Sequence, residues 1–545
     1  MVVSLGALML GGQLLGVAPA GADGHQGYEG GNILYVSNSP EGHQGVNAHI
    51  HGQWDGSGQW DGHGRWGCSN AQYSTIQSAV TAAPNEALVV VCPGTYAEDV
   101  SVPHPVQLVG LHATVNAAAL VNGFVVTSSY VSIKGFTVTG ALAEGIVAEP
   151  AGVLTNPQPP SSPSQTFAPI HHVSIENDVV NANNTGGDPT THQCSESPTP
   201  PDFLYPGDCG GGIHLNTVAH SEVEGNTVTN NDDGILITDD YGPAYGNEVS
   251  HNYVAHNIYE CGIVLPSHNP FSVVATQNPD HVTYSVGALT PSTGGVYDNT
   301  VDQNTVVDNG TVVAPGFGGS GSGVGVFAPS AGTAAYDNTI TDNYITGSGQ
   351  AGFTIHAHYT GGEYVSGNQV TDNVFATNNT GGDGLDGPGT DPDFKTTAIL
   401  VFSSEPATIT IAHNHIHGNT IGVWLSANIQ ASGLASNFIG GAATPIYVSQ
   451  VPYAFAQTIA ATAPTATVGV LIVPNNLTTQ YYVEYGLTST PYSMTTTAVT
   501  GLTGLAPVVA PVSLPGLSSG QTYHYQVVAS NSQGTTYGGD QTFST

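Results

Sequence analysis

Two short elements recur between residues 100 and 445, and this repetition restricts the chain to folds built from stacked, similar units. The first element is Gly, an apolar residue, any residue and a second apolar residue, at 145–148, 212–215, 234–237, 262–265, 323–326, 352–355 and 422–425. The second is Asn-x-Val/Ile, which begins at Asn226, Asn252, Asn304, Asn343, Asn368 and Asn414. Where no long insertion intervenes, neighbouring copies of the first element are 22, 28 or 29 residues apart.

The repeats predict short strands in a stack of coils. Alternation with period two points one row of aliphatic side chains inward. Asn and Gly are expected at the corners, where the left-handed backbone conformation costs them little. Stacked asparagines can join neighbouring coils by side-chain hydrogen bonds. Because one coil cannot bury its own apolar face, coils must stack, each adding roughly 4.8 Å of length.

The segment before the repeats has the features of a cap. Ser74 to Gln77 form a capping box, Ile76 and Val80 lie one helical turn apart, and Pro84 follows. Residues 87–91 then predict a buried strand and 93–96 a turn. A short helix in this position would cover the open first coil of a solenoid.

Residues 72 to about 445 resemble the secreted right-handed parallel β-helix proteins of the pectin-lyase-like superfamily. The opening segments Tyr73-Ser74-Thr75-Ile76-Gln77 and Cys92-Pro93-Gly94-Thr95-Tyr96 carry this resemblance together with the repeats. It implies an all-β fold with a right-handed parallel β-helix over 67–450. It does not select an activity, because that superfamily contains lyases, hydrolases, epimerases, esterases and non-catalytic surface proteins.

The C-terminal part has a different pattern. Residues 451–466 are rich in Ala, Thr and Pro and predict a linker. Residues 467–545 contain alternating strands, and 517–523 resemble the approach to the tyrosine corner of fibronectin type III sandwiches. The sequence therefore predicts a small antiparallel β-sandwich at 467–545, with aromatic side chains in its core.

The charge balance limits the partners. Arg65, Lys134 and Lys395 are the only basic residues beside 39 acidic ones, which gives a formal net charge of −36. Nucleic acid binding is excluded because phosphate neutralisation needs Lys or Arg. Membrane insertion is not expected, since no segment after the N-terminus is long and apolar enough. A polyanionic polysaccharide would be repelled unless a cation such as Ca²⁺ screened it. The expected partner is an extracellular polysaccharide or glycan.

The N-terminus and the cysteines indicate export. Residues 1–22 predict a signal peptide, because 5–17 is apolar and Ala20-Gly21-Ala22 offers a cleavage site. Residues 23–66 predict a Gly/His-rich lead-in without regular structure. In a secreted or cell-surface protein, Cys68–Cys92 and Cys194–Cys209 are expected disulfides, and Cys261 is left as a buried thiol.

Insertions predict where a groove could lie. Segments 183–211, 310–322 and 378–397 precede a Gly-apolar strand, and 149–169 and 266–296 follow one. These loops would wall a groove whose floor is the outer face of that strand. The floor positions are His214, Leu236, Val264, Gly325, Thr354 and Trp424. His214 and Trp424 are candidate sugar contacts, the second by ring stacking.

Polar residues just after these strands are the main catalytic candidates. Asp239 and Asp240 follow one strand, and His268 holds the matching place one coil later. Tyr241, His356 and His358 are further candidates for substrate contacts. A carboxylate–imidazole cluster can act as general acid and base in sugar β-elimination or epimerisation.

Two weaker sites are also predicted. Asp232 and Asp233 lie in an Asn-x-Asp-Asp turn that resembles that of polygalacturonase-type glycosidases, although the Arg-x-Lys clamp of that family is missing here. His413, His415 and His417 alternate along one predicted strand and could bind a metal ion.

The sequence thus leaves three functions open. The first is a secreted or cell-surface protein that binds extracellular carbohydrate. The second is a polysaccharide lyase or epimerase that uses the Asp239/Asp240/His268 groove. The third is a polygalacturonase-like glycoside hydrolase. Sparse ionic residues and a mainly apolar groove floor favour the first.

Overall fold

The structure, a computed structural model, describes residues 32–38, 68, 71–152, 162, 166–185, 211–272, 274–278, 281–285, 294–314, 318–357, 363–382, 395–489 and 491–545. The predicted signal peptide, most of the predicted lead-in and the predicted Cys194–Cys209 bond lie outside these residues. Over the described part the fold is nearly all β, with a parallel β-helix followed by an antiparallel sandwich.

Each complete coil of the β-helix contributes one strand to each of four faces, which the chain visits in the order D, A, B, C. One coil, for example, contains Val218–Ala219 on face D, Glu222–Glu224 on face A, Thr227–Thr229 on face B and Asp233–Thr238 on face C. Each strand pairs in parallel with its equivalents in the neighbouring coils. The predicted stack of coils is confirmed.

The strands of faces A and B form one sheet along the length of the helix. Face A contains Ile33–Val36, Ala87–Val91, Ser174–Glu176, Glu222–Glu224, Glu248–Ser250, Thr300–Asp302, Thr339–Thr341, Asn368–Thr371, Ala407–Ala412 and Ile429–Ser432. Face B contains Gly94–Tyr96, Val179–Asn181, Thr227–Thr229, Tyr253–Ala255, Thr305–Val307, Tyr344–Thr346, Val374–Phe375, His415–His417 and Phe438–Gly440. The long strands Val106–Asn116 and Ser132–Thr139 run through both faces.

Faces C and D complete the coils. Face C contains Val100–Val102, Phe124–Val126, Ile146–Ala148, Gly211–Asn216, Asp233–Thr238, Ile263–Pro266, Val324–Phe327, Phe353–Ala357, Thr397–Ser403, Ile421–Ser426 and Thr444–Ser449. Face D contains Ile170–His171, Val218–Ala219, Ala244–Tyr245, Val296–Tyr297 and Ala335–Tyr336. The connections between faces also contain two antiparallel pairs, Val274–Asn278 with His281–Ser285 and Val313–Ala314 with Gly318–Gly319, and the 3₁₀ turn Leu434–Ser436.

The seven copies of the repeated Gly-apolar element lie at the starts of face C strands. Ile213, Ile235 and Ile263 share one inward register and are fully buried in the main core. The glycine is required by the close approach of coils, since a β-carbon at Gly234 would lie 2.0 Å from the carbonyl oxygen of Gly262. The expectation that this glycine serves a left-handed corner is therefore wrong at this position.

The predicted asparagine stacking is confirmed, and it occurs at three corners. Side-chain amides of neighbouring coils are joined by hydrogen bonds of 2.9–3.2 Å. The D–A corner uses Asn247, Asn299, Asn338 and Asn368; the A–B corner uses Asn226, Asn252, Asn304, Asn343, Asn373, Asn414 and Asn437; the B–C corner uses Asn183, Asn231, Asn257 and Asn309. Asn368 thus belongs to a different ladder from the other five predicted asparagines.

The left-handed backbone lies one residue before the ladder asparagine, contrary to the prediction. At the A–B corner, His251, Gln303, Asp342 and Asp372 have φ between 53° and 59°. The ladder asparagine that follows is buried, and its amide N–H donates to the asparagine of the next coil. At this corner one residue adopts the left-handed conformation that turns the chain, and the asparagine after it makes the hydrogen bonds between coils.

The N-terminal end is capped as predicted, with two differences. The described residues contain one α-helix, Ile76–Ala82, but Thr75 rather than Ser74 is its N-cap, and the carboxylate of Glu98 accepts from the amides of Ile76 and Gln77. Strand Ile33–Val36 pairs with Ala87–Val91, so part of the predicted lead-in belongs to the β-helix. The predicted Cys68–Cys92 disulfide is present, and Cys261 is a buried free thiol.

The predicted linker at 451–466 is wrong. Strand Tyr453–Thr462 pairs with Thr465–Val473, which pairs with Val508–Pro515. A second antiparallel sheet contains Thr479–Gly486, Met494–Thr495, Val499–Leu502, Thr522–Ser530, Thr535–Tyr537 and Gln541–Ser544. Ala and Thr in 451–466 supply the small residues of a strand rather than a flexible chain. The Tyr523 hydroxyl accepts from the Ser518 amide at 2.9 Å, the hydrogen bond that a tyrosine corner makes.

Candidate functional site

The outer surface of face C was predicted to be the floor of a groove, and its register is as expected. His214, Leu236, Val264, Gly325 and Thr354 follow one another in a single outward column. Leu236 and Thr354 are fully buried and Val264 is 4% exposed, so this part of the floor is covered. The His214 side chain keeps 12% of its surface exposed, which places the accessible region at the N-terminal part of this column.

Trp424 does not face an open groove. It is 1% exposed, and together with Leu400 and Phe402 it forms a cluster with the first strands of the sandwich. The ring of Tyr453 in the sandwich lies 4.7 Å from that of Phe402. The predicted sugar contact at Trp424 is therefore wrong, because the C-terminal sandwich occupies this part of face C.

Five side chains, including His214, form a continuous hydrogen-bonded chain, which we call the relay. Its members are Glu144, His214, Thr238, Asp240 and His268. Glu144 Oε1 lies 2.9 Å from His214 Nδ1, and His214 Nε2 lies 2.8 Å from Thr238 Oγ1. Thr238 Oγ1 lies 3.2 Å from Asp240 Oδ2, and Asp240 Oδ1 lies 2.7 Å from His268 Nδ1. The structure thus brings together three of the predicted residues: His214, Asp240 and His268.

The relay crosses four neighbouring coils on face C. Glu144 precedes the first strand, His214 lies in the second, and Thr238 ends the third. His268 occupies the equivalent of Asp240 one coil further, after strand Ile263–Pro266. Parallel stacking therefore places side chains that are distant in sequence within hydrogen-bonding distance of each other.

Proton counting restricts the charge states of the relay. The Thr238 hydroxyl carries one proton. When it donates that proton to Asp240, His214 Nε2 must carry a proton to donate to Thr238, and Nδ1 carries another toward Glu144. His214 is then an imidazolium between two carboxylates. When His214 is neutral, the Thr238 hydroxyl donates its hydrogen bond to His214 Nε2, and Asp240 still accepts a hydrogen bond from His268.

The electrostatics favour an ionised Asp240. Burial raises the pKa of this carboxyl, but the charge and hydrogen bond of His268, the charge of His214 and the Thr238 hydroxyl together hold it below its ordinary value. The Asp240 side chain is 20% exposed and that of His268 is 4% exposed. An ionised carboxylate that orients a largely buried imidazole is a common arrangement for general acid–base chemistry.

Asp239 has a structural role in holding loop residues at the end of its strand. It is fully buried and accepts hydrogen bonds from the Ser267 and Ser272 hydroxyls and from the amides of His268, Asn269 and Gly295. Burial raises its pKa to about 6, against the opposing effect of these amides and of His268. Asp239 therefore ties two loops to the strand end, and its predicted role as a catalytic group is not supported.

Two predicted substrate contacts are largely enclosed. Tyr241 is 7% exposed, and its ring packs edge-on against Phe167 at a centroid distance of 6.3 Å. His356 is 8% exposed and lies beside Phe327 at 5.4 Å, three coils beyond the relay residue Thr238. His358 lies outside the described residues.

The glycosidase candidates Asp232 and Asp233 are buried. Their exposed fractions are 1% and 2%, and they lie where the B–C corner enters face C. A carboxylate that must protonate a glycosidic oxygen has to reach the sugar. Their burial removes that reach, so the turn is a corner of the solenoid and not an active-site pair.

The three histidines at 413–417 do not converge. His413 holds a left-handed corner, whereas His415 and His417 lie on face B with ring centroids 5.5 Å apart. His415 stacks on Phe438 at 4.7 Å. Among the described residues no group of three or more His, Cys, Asp or Glu side chains is arranged to hold a metal ion. The predicted three-histidine metal site is wrong, because the corner turns His413 away from the strand face.

Sequence reasoning missed Glu144 and Thr238. Glu144 directly precedes Gly145, so the repeat pattern could have placed it one coil before His214. Glu144 and His214 are 70 positions apart, and two insertions lie between them. Because the repeat spacing does not extend across these insertions, it did not reveal this alignment. Thr238 occupies the last outward position of its strand, immediately before the two aspartates that drew attention.

Comparison with known proteins gives one family match. The model of the family described as "Right handed beta helix region" matches residues 122–306, about a third of the chain and the part that contains the relay. The all-β, right-handed parallel β-helix class is thereby supported by sequence as well as by strand pairing. No curated protein sequence matches the chain. In the described residues, no helix has the length and apolar character needed to span a membrane.

Solved structures with the same kind of fold have low identity to the chain. Pectate lyase Pel9A is 14% identical, with a TM-score of 0.33 over 75% of this chain and 78% of that one. The enzymatically active domain of tailspike protein 2 of bacteriophage CBA120 is 9% identical, with a TM-score of 0.37 over 86% and 73%. The PL6 family polysaccharide lyase Pedsa3628 from Pseudopedobacter saltans is 12% identical, with a TM-score of 0.31 over 68% and 90%.

Proposed function

We propose that the chain is an exported β-helix protein that binds carbohydrate at the relay on the outer surface of face C. The observation that carries this proposal is the continuous hydrogen-bonded chain from Glu144 to His268, parts of which are exposed to solvent. The disulfide Cys68–Cys92 supports a location outside the cell, since such bonds persist in oxidising compartments.

The chemistry of the relay suits a polyol. Sugar hydroxyls both donate and accept hydrogen bonds, and the relay offers carboxylate oxygens as acceptors and imidazole N–H groups as donors. Two carboxylates within the relay would repel an anionic sugar acid, and the chain has only three basic residues. An uncharged sugar, or an acidic sugar that brings its own cation, is the expected ligand.

A second candidate is a polysaccharide lyase or epimerase, and the pair Asp240–His268 favours it. A carboxylate at 2.7 Å fixes the tautomer and the orientation of the imidazole, as a general base requires. In this reaction His268 or His214 would take the proton next to the sugar carboxyl group, and a bound cation such as Ca²⁺ would have to stabilise the enolate.

Binding is tested by titrating the full chain with neutral and uronic-acid oligosaccharides, with and without Ca²⁺, by calorimetry. Asp240→Asn and His214→Ala should each weaken binding by about tenfold or more, since each breaks a hydrogen bond to a charged group. His251→Ala is the matched control, because His251 is a half-exposed histidine that faces Glu224 at the A–B corner, away from the relay. Unchanged affinity in both relay variants would contradict the proposed site.

Catalysis is tested in the same samples. A lyase would produce an unsaturated uronide that absorbs in the ultraviolet, and an epimerase would exchange the sugar proton with deuterated solvent. His268→Gln and Asp240→Asn should abolish either signal, whereas His251→Ala should retain it. Binding without product from any tested polymer would leave the binding function and exclude the enzymatic one for those polymers.

A further inference from the structure

The outer surface of face B is a strip without acidic, Lys or Arg side chains, in a chain of net charge −36. Its first outward column runs through eleven coils: Thr95, Thr114, Thr137, Val179, Thr227, Tyr253, Thr305, Tyr344, Val374, His415 and Phe438. The second column contains Asn116, Thr139, Asn181, Thr229, Ala255, Val307, Thr346, His417 and Gly440. No Asp, Glu, Lys or Arg occurs in these described positions.

The outer surface of face A, which belongs to the same sheet, carries charged residues and can be compared with that of face B. Its outward positions hold Lys134, Glu176, Glu222, Glu224 and Glu248, which lie opposite one another in neighbouring coils. Both faces alternate inward and outward residues in the same way and follow each other along the chain. The absence of charge on face B is therefore a property of that surface and not of the strand pattern.

Large aromatic side chains are exposed along this strip. Tyr253 and Tyr344 are each 42% exposed, and Phe438 is 61% exposed. Thr305 lies between the two tyrosines, so they are two coils apart, or about 10 Å. His415 follows two coils after Tyr344 and stacks against Phe438. Exposed rings on a surface without charge mark a contact area.

We propose that face B is a second carbohydrate platform, one that binds an uncharged, extended polysaccharide lying parallel to the axis of the β-helix. The flat side of a pyranose ring carries C–H groups that pack on an aromatic ring, and its edge carries hydroxyls. A spacing of two coils matches the length of one disaccharide repeat in an extended β-1,4-linked chain. The threonines between the aromatic residues supply hydroxyls for the sugar edges.

The charge distribution favours this ligand over an acidic polysaccharide. Asp342, Asp372 and Asp308 hold the corners on either side of the strip. They would repel a polyanion along the strip, whereas an uncharged chain pays no such cost. The platform lies on a different face from the relay, so it can hold an insoluble polymer while the relay meets a soluble or protruding sugar.

The test is depletion of the full chain from solution by microcrystalline cellulose and by chitin. Covering one face of each ring removes roughly half its area from water, so Tyr253→Ala with Tyr344→Ala should lower the partition constant by about 30-fold. Thr305→Glu should lower it by about tenfold or more, because the polymer would have to cover a carboxylate. Tyr130→Ala, which removes a 58%-exposed tyrosine elsewhere on the β-helix, is the matched control and should bind like the parent.

The outcomes separate the platform from the relay and from self-association. Retained binding in His214→Ala, with loss in the double tyrosine variant, supports the platform whether or not the relay binds sugar. Equal binding by the parent and the double variant, or no binding of the parent to either polymer, overturns the platform. A parent that sediments as a dimer and becomes monomeric in the double variant, without binding either polymer, would assign the strip to a second copy of the chain instead. Unchanged unfolding midpoints establish that all variants are folded.

Discussion

Asp178 precedes Asn226 at the N-terminal end of the asparagine ladder of the A–B corner, and its replacement by Asn should stabilise the protein strongly at neutral pH. Its amide donates to Asn226, and its Oδ1 accepts from the Phe136 amide at 2.7 Å. The residue is 1% exposed, and Oδ2 has no hydrogen-bond partner within the described structure. An Asn at this position would place an N–H group there, as Asn226 does toward Ile175 and Asn252.

The size of the effect follows from the ionisation of the carboxyl. Burial raises the pKa of Asp178 from 3.8 to about 8, and nearby Glu176 adds to this rise. Because the folded pKa lies above the unfolded one, the folded state holds the proton more tightly, and stability falls as the pH rises from about 4 to 8. Each pH unit in this window costs about 1.4 kcal/mol, which amounts to about 4 kcal/mol at pH 7. Asparagine does not titrate and avoids this cost.

The assay is urea unfolding of the parent and of Asp178→Asn at several pH values between 4 and 8.5. The two proteins should differ by about 1 kcal/mol near pH 4, where only the extra hydrogen bond counts. The difference should grow steadily with pH and level off above 8. Asp372→Asn is the control, because it makes the same substitution at an aspartate that is half exposed at a corner. A difference between parent and Asp178→Asn that is the same at pH 4.5 and 7.5 would refute the argument.

Three further changes test other parts of the structure. Burial raises the pKa of Glu176, but Lys134 holds it below its ordinary value, so Lys134→Met should raise this pKa, as NMR titration would show. The same variant should lower the free energy of unfolding by about 1 kcal/mol at pH 7, and by nothing once the pH falls below the Glu176 pKa, as urea unfolding would show. Trp424→Ala should open the contact with the sandwich, cost about 3–5 kcal/mol and speed proteolysis between residues 449 and 453. Asn304→Ala breaks a ladder in its middle and should cost about 2–3 kcal/mol in urea unfolding, with no comparable loss in Thr305→Ala next to it.

The repeat itself was readable from the sequence because it is local. An inward aliphatic residue, its partner two positions later and the asparagine before them lie within a few residues of each other, so their spacing survives any insertion elsewhere. This is why the buried positions of face C and most members of the A–B ladder were predicted correctly. Asn368 was grouped with the A–B asparagines because the D–A and A–B corners share the Asn-x-Val/Ile pattern, and only strand pairing tells these two corners apart.

Part of the relay was also predictable, because Asp240 and His268 hold equivalent places in consecutive coils. Which of two adjacent aspartates would face the histidine was not. Asp239 and Asp240 are adjacent, yet Asp239 is enclosed by five hydrogen-bond donors, whereas Asp240 is partly exposed and contacts His268. Residue type carries no information on that choice, since both residues are aspartate, and the strand whose alternation would indicate it ends at Thr238.

Spacing and local patterns, together with family resemblance, predicted a stack of parallel coils, a capped N-terminus, the Cys68–Cys92 pair and a sandwich after the solenoid. Tertiary structure decided which surfaces remain open. Trp424 became part of the core because the sandwich folds onto face C, and Glu144 joined His214 because the coils bring residues 70 positions apart into contact. Local patterns specify how a coil forms, whereas the path of insertions and the docking of a second unit depend on contacts between segments that no local spacing records.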